Sequence, residues 1–266
     1  MRRTTATRAA AAAAALPLLL GTAACAGDPE GTTAAEAAEE LPPPGEQVPV
    51  EDFVADYTEG LDEATTAQVD AELGVAGQEF EIDGEIDYTT DPTSVAFTLA
   101  GASIGERAFE ARAVEGVYYV NLGPMSEDRF VRYDADSEEL PSELSDLTGQ
   151  LDPKGLLAEF EPAIERVVFV GTEDIQGDEF NHFAVVLDAA AVAEEQGMPA
   201  TGLPETVEYD VWFDGEYQLR RLDMQVSALG ITTNVRVDAT AWGEPVDIAA
   251  PADDEVVDPS EVRGIG

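Results

Sequence analysis

Two side chains of this sequence have the type and setting for nucleophilic or acid–base chemistry, Ser103 and His182. Gly101-Ala102-Ser103-Ile104-Gly105 fits Gly-x-Ser-x-Gly, a turn that lifts a nucleophilic serine between a strand and a following helix. Here the string lies between two alternating runs, residues 95–99 and 108–114, so it reads as a glycine-rich turn between antiparallel strands. A triad could use only His182, the single histidine, which falls inside the apolar run 180–187 and is expected to be packed or hydrogen-bonded there. One histidine and one cysteine exclude a zinc site built from several such ligands. The nearest approach to a calcium loop, Asp134-Ala135-Asp136-Ser137-Glu138, lacks the glycine that makes the turn. Carboxylate pairs such as Glu39-Glu40, Glu138-Glu139 and Asp253-Asp254 lie in polar stretches, and no Gly-x-x-x-x-Gly-Lys phosphate loop exists. The expectation is a protein that is not an enzyme and carries no metal or cofactor.

The other chemically telling residue is Cys25, the only cysteine. Arg2, Arg3 and Arg8 precede an apolar run over residues 9–20, and Gly21-Thr22-Ala23-Ala24 stands directly before the thiol. A basic start, a short apolar core and small residues before a cut form an export signal, too short to span a bilayer and interrupted by Pro17. The segment resembles the motif at which a bacterial lipoprotein cysteine receives a diacylglycerol, palmitate-type chains being usual, although Thr22 stands where leucine is common. The alternative is an ordinary secreted protein cut near Ala24. Residues 1–24 are therefore read as a lipoprotein signal peptide and Cys25 as the lipidation site, with the protein anchored to the outer face of the cell membrane. No internal disulfide is possible, so the fold must be held by its core.

The chain of 266 residues carries a formal charge of −43, and Lys154 is its only lysine. Such a field repels nucleic acid and anionic headgroups, so membrane attachment must come from acyl chains. Acidity of this kind also suits solubility in salty media or secretion from high-GC bacteria, without any cation-binding role.

The elements that position these residues follow from spacing. Residues 26–47 are mostly Gly, Ala, Glu, Thr and Pro with Leu41 the one large apolar residue, a linker spanning roughly 25 Å as a coil. With Cys25 and Pro-rich residues up to 48 it forms a tether, followed by a domain over 49–251 and a loose acidic tail over 252–266. Within the domain, period-two alternation dominates: 67–73, 80–88, 95–99, 108–114, 117–122, 167–170, 180–187, 207–213, 222–228 and 235–241, bounded by turns such as Asp91-Pro92, Asp214-Gly215 and Gly230. Nine to eleven such strands make a long antiparallel sheet that must curl. Helical patterns cover 54–64, 153–164 and 189–196, the second with Leu156, Leu157, Phe160 and Ile164 on one stripe, Asp152 as cap, and Pro162 ending or kinking it, the third capped by Asp188 and ended by Gly197. The fold class is α+β: a strongly curved antiparallel half-barrel with a few helices on its concave side. The strand faces and the helical stripe together form either a filled core or a cavity open to a lipid.

One order of short strings is familiar: Leu151-Asp152-Pro153, Val170-Gly171-Thr172-Glu173, Gly177, His182-Phe183, Val211-Trp212-Phe213-Asp214, Leu219-Arg220-Arg221 and Trp242-Gly243. Behind an export signal and a Pro-rich tether, it resembles the LppX/LprG-type lipoproteins of the actinobacterial envelope, over residues 49–251. The resemblance implies a LolA-like half-barrel whose apolar cavity takes the acyl chains of a lipid or glycolipid and carries them within the envelope. Lining would come from Leu156, Leu157, Phe160 and Ile164 on the helix. On the strands it would come from Phe97, Leu99, Tyr118, Val120, Phe183, Val185, Tyr209, Val211, Met224 and Val226. The helix over 156–164 is the expected hinge for release. Trp212 lies opposite Val211 and Phe213, with Glu208 and Asp210, where it would brace the sheet against the linker or a helix. The implied partners are a lipid ligand, the membrane through Cys25 and an envelope transporter, with no nucleic acid and a monomeric chain. The competing reading is a fully packed surface lipoprotein whose acidic outer face scaffolds a basic envelope protein.

Overall fold

The computed structural model describes residues 41–101, 105–134, 137, 160–195, 199–228 and 230–262. Cys25, Ser103, Leu156 and Leu157, and the Gly197 expected to end the third helix, lie outside these residues, as does most of the tether.

Among the described residues the strands form one sheet. In chain order they are β1 (Gln47–Val48), β2 (Thr66–Val75), β3 (Gln78–Asp87), β4 (Ser94–Gly101), β5 (Gly105–Val114), β6 (Val117–Asn121), β7 (Phe130–Asp134), β8 (Ile164–Ile175), β9 (Asp178–Asp188), β10 (Thr206–Phe213), β11 (Leu219–Ala228), β12 (Ile231–Thr240) and β13 (Val256–Val257). Their spatial order is β1-β8-β9-β10-β11-β12-β2-β3-β4-β5-β6-β7-β13, so two antiparallel meanders are joined where β12 pairs with β2. The two outermost strands, β1 and β13, do not pair with each other, and the sheet is an open, curved half-barrel.

The strand count exceeds the expected nine to eleven because of these outermost strands, each two residues long. Both sit in stretches expected to be loose. Gln47 and Val48 pair with Val168 and Val167, and Gly45 N–H donates to Phe169 O at 2.7 Å. At the other edge Val257 is buried, lies beside Val131 in the parallel β7–β13 pair and joins a cluster with Val120 and Tyr133, while Val262 packs on the same cluster. The tail after Pro251 is therefore tied down by three apolar residues, Val256, Val257 and Val262, within an acidic stretch.

Tight hairpins follow from their turn residues. Ala76-Gly77, Glu115-Gly116 and Gln176-Gly177 each hold two successive positive φ angles between directly paired strands. That mirror-image turn matches the right-handed twist of the flanking strands, and glycine adopts its second position without strain.

Helix α1 (Val50–Glu63) begins four residues before the expected start. Pro49 holds an extended conformation, its carbonyl accepts from Phe53 N–H at 3.1 Å, and Glu51 and Asp52 place negative charge in the first turn. Helix α2 (Ala189–Glu195) is capped as expected by the Asp188 carboxylate, which accepts from Ala190 N–H and Ala191 N–H. Of the helix expected over 153–164, residues 153–159 lie outside the described residues; Phe160 is helical, Glu161–Ala163 form a 3-10 turn around Pro162, and Ile164 opens β8. Ile164 therefore belongs to the sheet and cannot move with a hinge helix.

Candidate functional site

Register assigns every strand residue to a face, because directly opposed residues project to the same side. One row runs Phe183, Val211, Leu222, Val237 across β9 to β12. It continues as Ala71, Ile82, Leu99 and Phe109 across β2 to β5. A parallel row runs Val185, Tyr209, Met224, Val235, Leu73 and Phe80. Neither row contains a charged residue. From Val211 to Leu99 the path crosses five strand spacings, roughly 24 Å.

The intervening residues make the other face. Asp210, Asp223, Arg236, Glu72 and Glu81 form one row there. Asp238, Asp70, Asp83, Thr98 and Glu110 form another. Asp70 and Asp83 sit directly opposite, and desolvation followed by the Asp83 charge pushes the Asp70 carboxyl above its usual range. On this face Arg236 is matched to Asp223 at 2.7 Å, and Arg220 and Arg221 to Asp238 at 2.9 Å. An alternating sequence thus gives a sheet that is apolar inside and acidic outside.

The apolar face closes at its two ends. Over β8 to β10, α1 inserts Phe53, whose ring lies 5.5 Å from Phe183 and 5.9 Å from Phe213. Ile164, Val167, Phe169, Val185, Leu187 and Val211 complete this cluster. Gly60 brings α1 against the β10–β11 connection so closely that an added Cβ would lie 2.5 Å from Tyr217 O. At the far end Ala111, Val120, Val131, Tyr133 and Val257 form the second cluster. Between the clusters, Leu222, Met224, Val226, Val235, Val237, Leu73, Phe80, Ile82, Phe97, Leu99 and Phe109 are only half-buried.

The expected lining residues on strands all share the concave face, but they divide into two kinds. Phe183, Val185, Val211, Val120 and Ile164 are buried in the end clusters as closed core. Leu99, Phe97, Met224, Val226 and Tyr209 border the half-buried middle, and Tyr118 packs on the second cluster. Phe160 is half-buried. Sequence reasoning did not select Leu73, Phe80, Ile82, Phe109, Leu222, Val235 or Val237 as lining. Their alternation was visible, whereas the order in which β12 returns to pair with β2 was not. Near the first cluster Tyr57 of α1 is half-buried, its ring 4.9 Å from that of Phe213, and desolvation pushes its hydroxyl up to about 12. The Tyr209 hydroxyl is likewise raised by desolvation, then by Tyr57.

His182 belongs to the acidic face. Its Nδ1 lies 2.9 Å from Glu173 Oε1 and its Nε2 lies 2.8 Å from Asp210 Oδ1. No serine stands in this set; the two glycines of the Gly-x-Ser-x-Gly string, Gly101 and Gly105, pair between the antiparallel strands β4 and β5, and β5 rather than a helix follows the string. Among the described residues no group of three or more His, Cys, Asp and Glu is placed to hold a metal ion. None of their helices is long and apolar enough to cross a membrane.

The sequence matches no protein-family model and none of the curated proteins. Solved structures do resemble the fold. The Mycobacterium tuberculosis lipoprotein LppX is 17% identical, the match covering 75% of this chain and 99% of that one, with a TM-score of 0.49. LprF from Mycobacterium bovis is 15% identical over 78% of this chain and 100% of that one, with a TM-score of 0.54. The Pseudomonas aeruginosa MucA/MucB complex gives 15% identity, 77% and 59% coverage, and a TM-score of 0.40. The open, curved sheet with its apolar inner face is thus the fold of LprF.

Proposed function

We propose that this chain is an exported protein, held in the envelope by acyl groups on Cys25, that binds the acyl chains of a lipid or glycolipid against its concave face and carries them within the envelope. The observation that supports this most directly is the uncharged, half-buried strip between the two packed clusters. A folded chain has little reason to leave Leu99, Met224, Phe80 and Val235 short of full burial unless something apolar covers them. Aliphatic tails leaving a bilayer through water cost about 25 cal/mol per Å² exposed, and a strip of this chemistry removes that cost during transit. The fold of LprF and the export segment ending at Cys25 are consistent with the reading.

Displacement of a fluorescent fatty acid by envelope lipid extract tests it. Leu99→Glu and Met224→Glu, which place charge in the strip, are expected to weaken binding at least tenfold, while Asp223→Asn on the opposite face leaves it unchanged. Equal binding by all three variants would remove the strip from the mechanism. A protein that binds no acyl probe would favour the packed scaffold.

A further inference from the structure

Helix α1 and strand β10 each bring a tyrosine to the concave face. Tyr57 stands one turn after Phe53 and one turn before Leu61, both buried, so it shares their sheet-facing side of α1. Its ring packs 4.9 Å from that of Phe213. Tyr209 pairs with Val185 on β9 and Met224 on β11, and it carries the only hydroxyl of the row that runs from Val185 to Phe80. Both rings pack against the first cluster, and the two phenols lie close enough for Tyr57 to raise Tyr209 electrostatically.

Among the described residues neither hydroxyl has a hydrogen-bond partner. Each keeps accessible surface, because no partnerless side-chain oxygen of the described residues is fully enclosed, and both residues are half-buried. A tyrosine set in apolar packing usually finds a partner for its O–H, since an unmade bond there costs more than a made one gains. Here two such donors are left open in one apolar region. Desolvation raises both hydroxyls, so both stay protonated, and able to donate, throughout the neutral range.

We infer that Tyr57 and Tyr209 form a polar subsite that donates hydrogen bonds to the ester carbonyl oxygens of an uncharged acyl lipid lying along the strip. The inference rests on the carrier reading and adds which part of the ligand enters: the ester linkage as well as the tails. A carbonyl oxygen accepts and does not donate, so it suits hydroxyls that have a proton to give and no acceptor. An ionised carboxylate or phosphate does not suit them. The concave rows carry no charged residue, so an anion there would lose its water without meeting a cation. Arg221 and Arg236 lie on the opposite face, already paired with Asp238 and Asp223.

The test compares a short-chain diacylglycerol with the dialkylglycerol of equal chain length, which has ether links and no carbonyl. Affinities are read on the full-length acylated protein by displacement of a fluorescent fatty acid. The natural chain is expected to bind the diester about five- to tenfold more tightly than the diether, the worth of one or two hydrogen bonds. Tyr57→Phe and Tyr209→Phe keep each ring and should each lower that ratio, and the double variant should bring it to about one. A ratio near one in the natural chain, or an unaltered ratio in the double variant, overturns the inference while the carrier reading stands. Binding of neither lipid by the natural chain overturns both. Thermal unfolding of the lipid-free double variant separates a purely structural role. Neither hydroxyl bonds within the protein, so Tm at neutral pH should not fall. A drop of several degrees would assign the hydroxyls to the protein's own packing and overturn the inference.

Discussion

The imidazole of His182 and the indole of Trp212 stack 4.3 Å apart and 16° from parallel on the acidic face. Glu173 joins them: one carboxylate oxygen lies against His182 Nδ1 and the other accepts from Trp212 Nε1–H at 3.1 Å. Among the described residues, the partners of Trp212 are on strands rather than on the linker or a helix. The indole ties β8, beyond its bulge between Phe169 and Gly171, to β10. The hydrogen bonds from His182 and then Trp212 hold the Glu173 carboxyl below the usual carboxylate range. A lowered folded value contributes stability above the unfolded pKa of about 4.3, lost as pH falls through the folded value. Thermal unfolding between pH 3 and 7 should therefore show a steeper acid loss for the natural chain than for Glu173→Gln. Trp212→Phe keeps the stack and loses the donor, at a cost of about 1 kcal/mol at neutral pH.

Tyr57 gives the opposite pH dependence. Its hydroxyl is raised to about 12 by burial, so the folded state favours the neutral phenol. The resulting stability is fully present below the ordinary tyrosine value of about 10 and is lost as pH rises through the folded value. Tyr57→Phe should flatten the loss of stability between pH 10 and 12, read by circular dichroism at fixed temperature. An unchanged alkaline limb would place the hydroxyl in water.

Helix α1 closes the β8–β10 end of the groove only because Gly60 has no side chain. In Gly60→Ala the new methyl meets Tyr217 O and Glu216 O, both backbone atoms that cannot rotate away. The expected cost is about 1–3 kcal/mol in urea unfolding, with α1 displaced from the sheet. Phe53→Ala should cost about 3–5 kcal/mol through the cavity it leaves among Phe183, Phe213 and Val185.

Glu115 occupies the first position of a mirror-image hairpin turn at φ 52°, a conformation that asparagine tolerates better than glutamate. Glu115→Asn should raise stability by roughly 0.5 kcal/mol in the same assay.

Much of this architecture could be read from alternation alone. The pattern in Glu208-Tyr209-Asp210-Val211 assigns alternate residues to opposite faces, and the register confirms that assignment on both neighbouring strands. The curl of a sheet too long to stay flat was legible for the same reason. What escaped were features that depend on partners distant in sequence. Gln47-Val48 and Val256-Val257 are too short to show a period, and they become strands only because β8 and β7 offer open edges. Ile164 continues a helical spacing but is claimed by β8, where it opposes Leu187. Burial within the row also escaped: Val211 and Leu99 look alike in sequence, yet α1 covers one and leaves the other half-buried. The division between closed core and candidate lining is set by where α1 lands, and that depends on Gly60 as much as on any apolar residue.

The most direct test of the central claim is native mass spectrometry of the full-length protein purified from an actinobacterial host, followed by lipid extraction of the released ligand. The account predicts a stoichiometric acylated lipid in addition to the anchor on Cys25, lost in Met224→Glu. A protein that arrives without such a lipid, and takes up none when offered glycolipid, would contradict it.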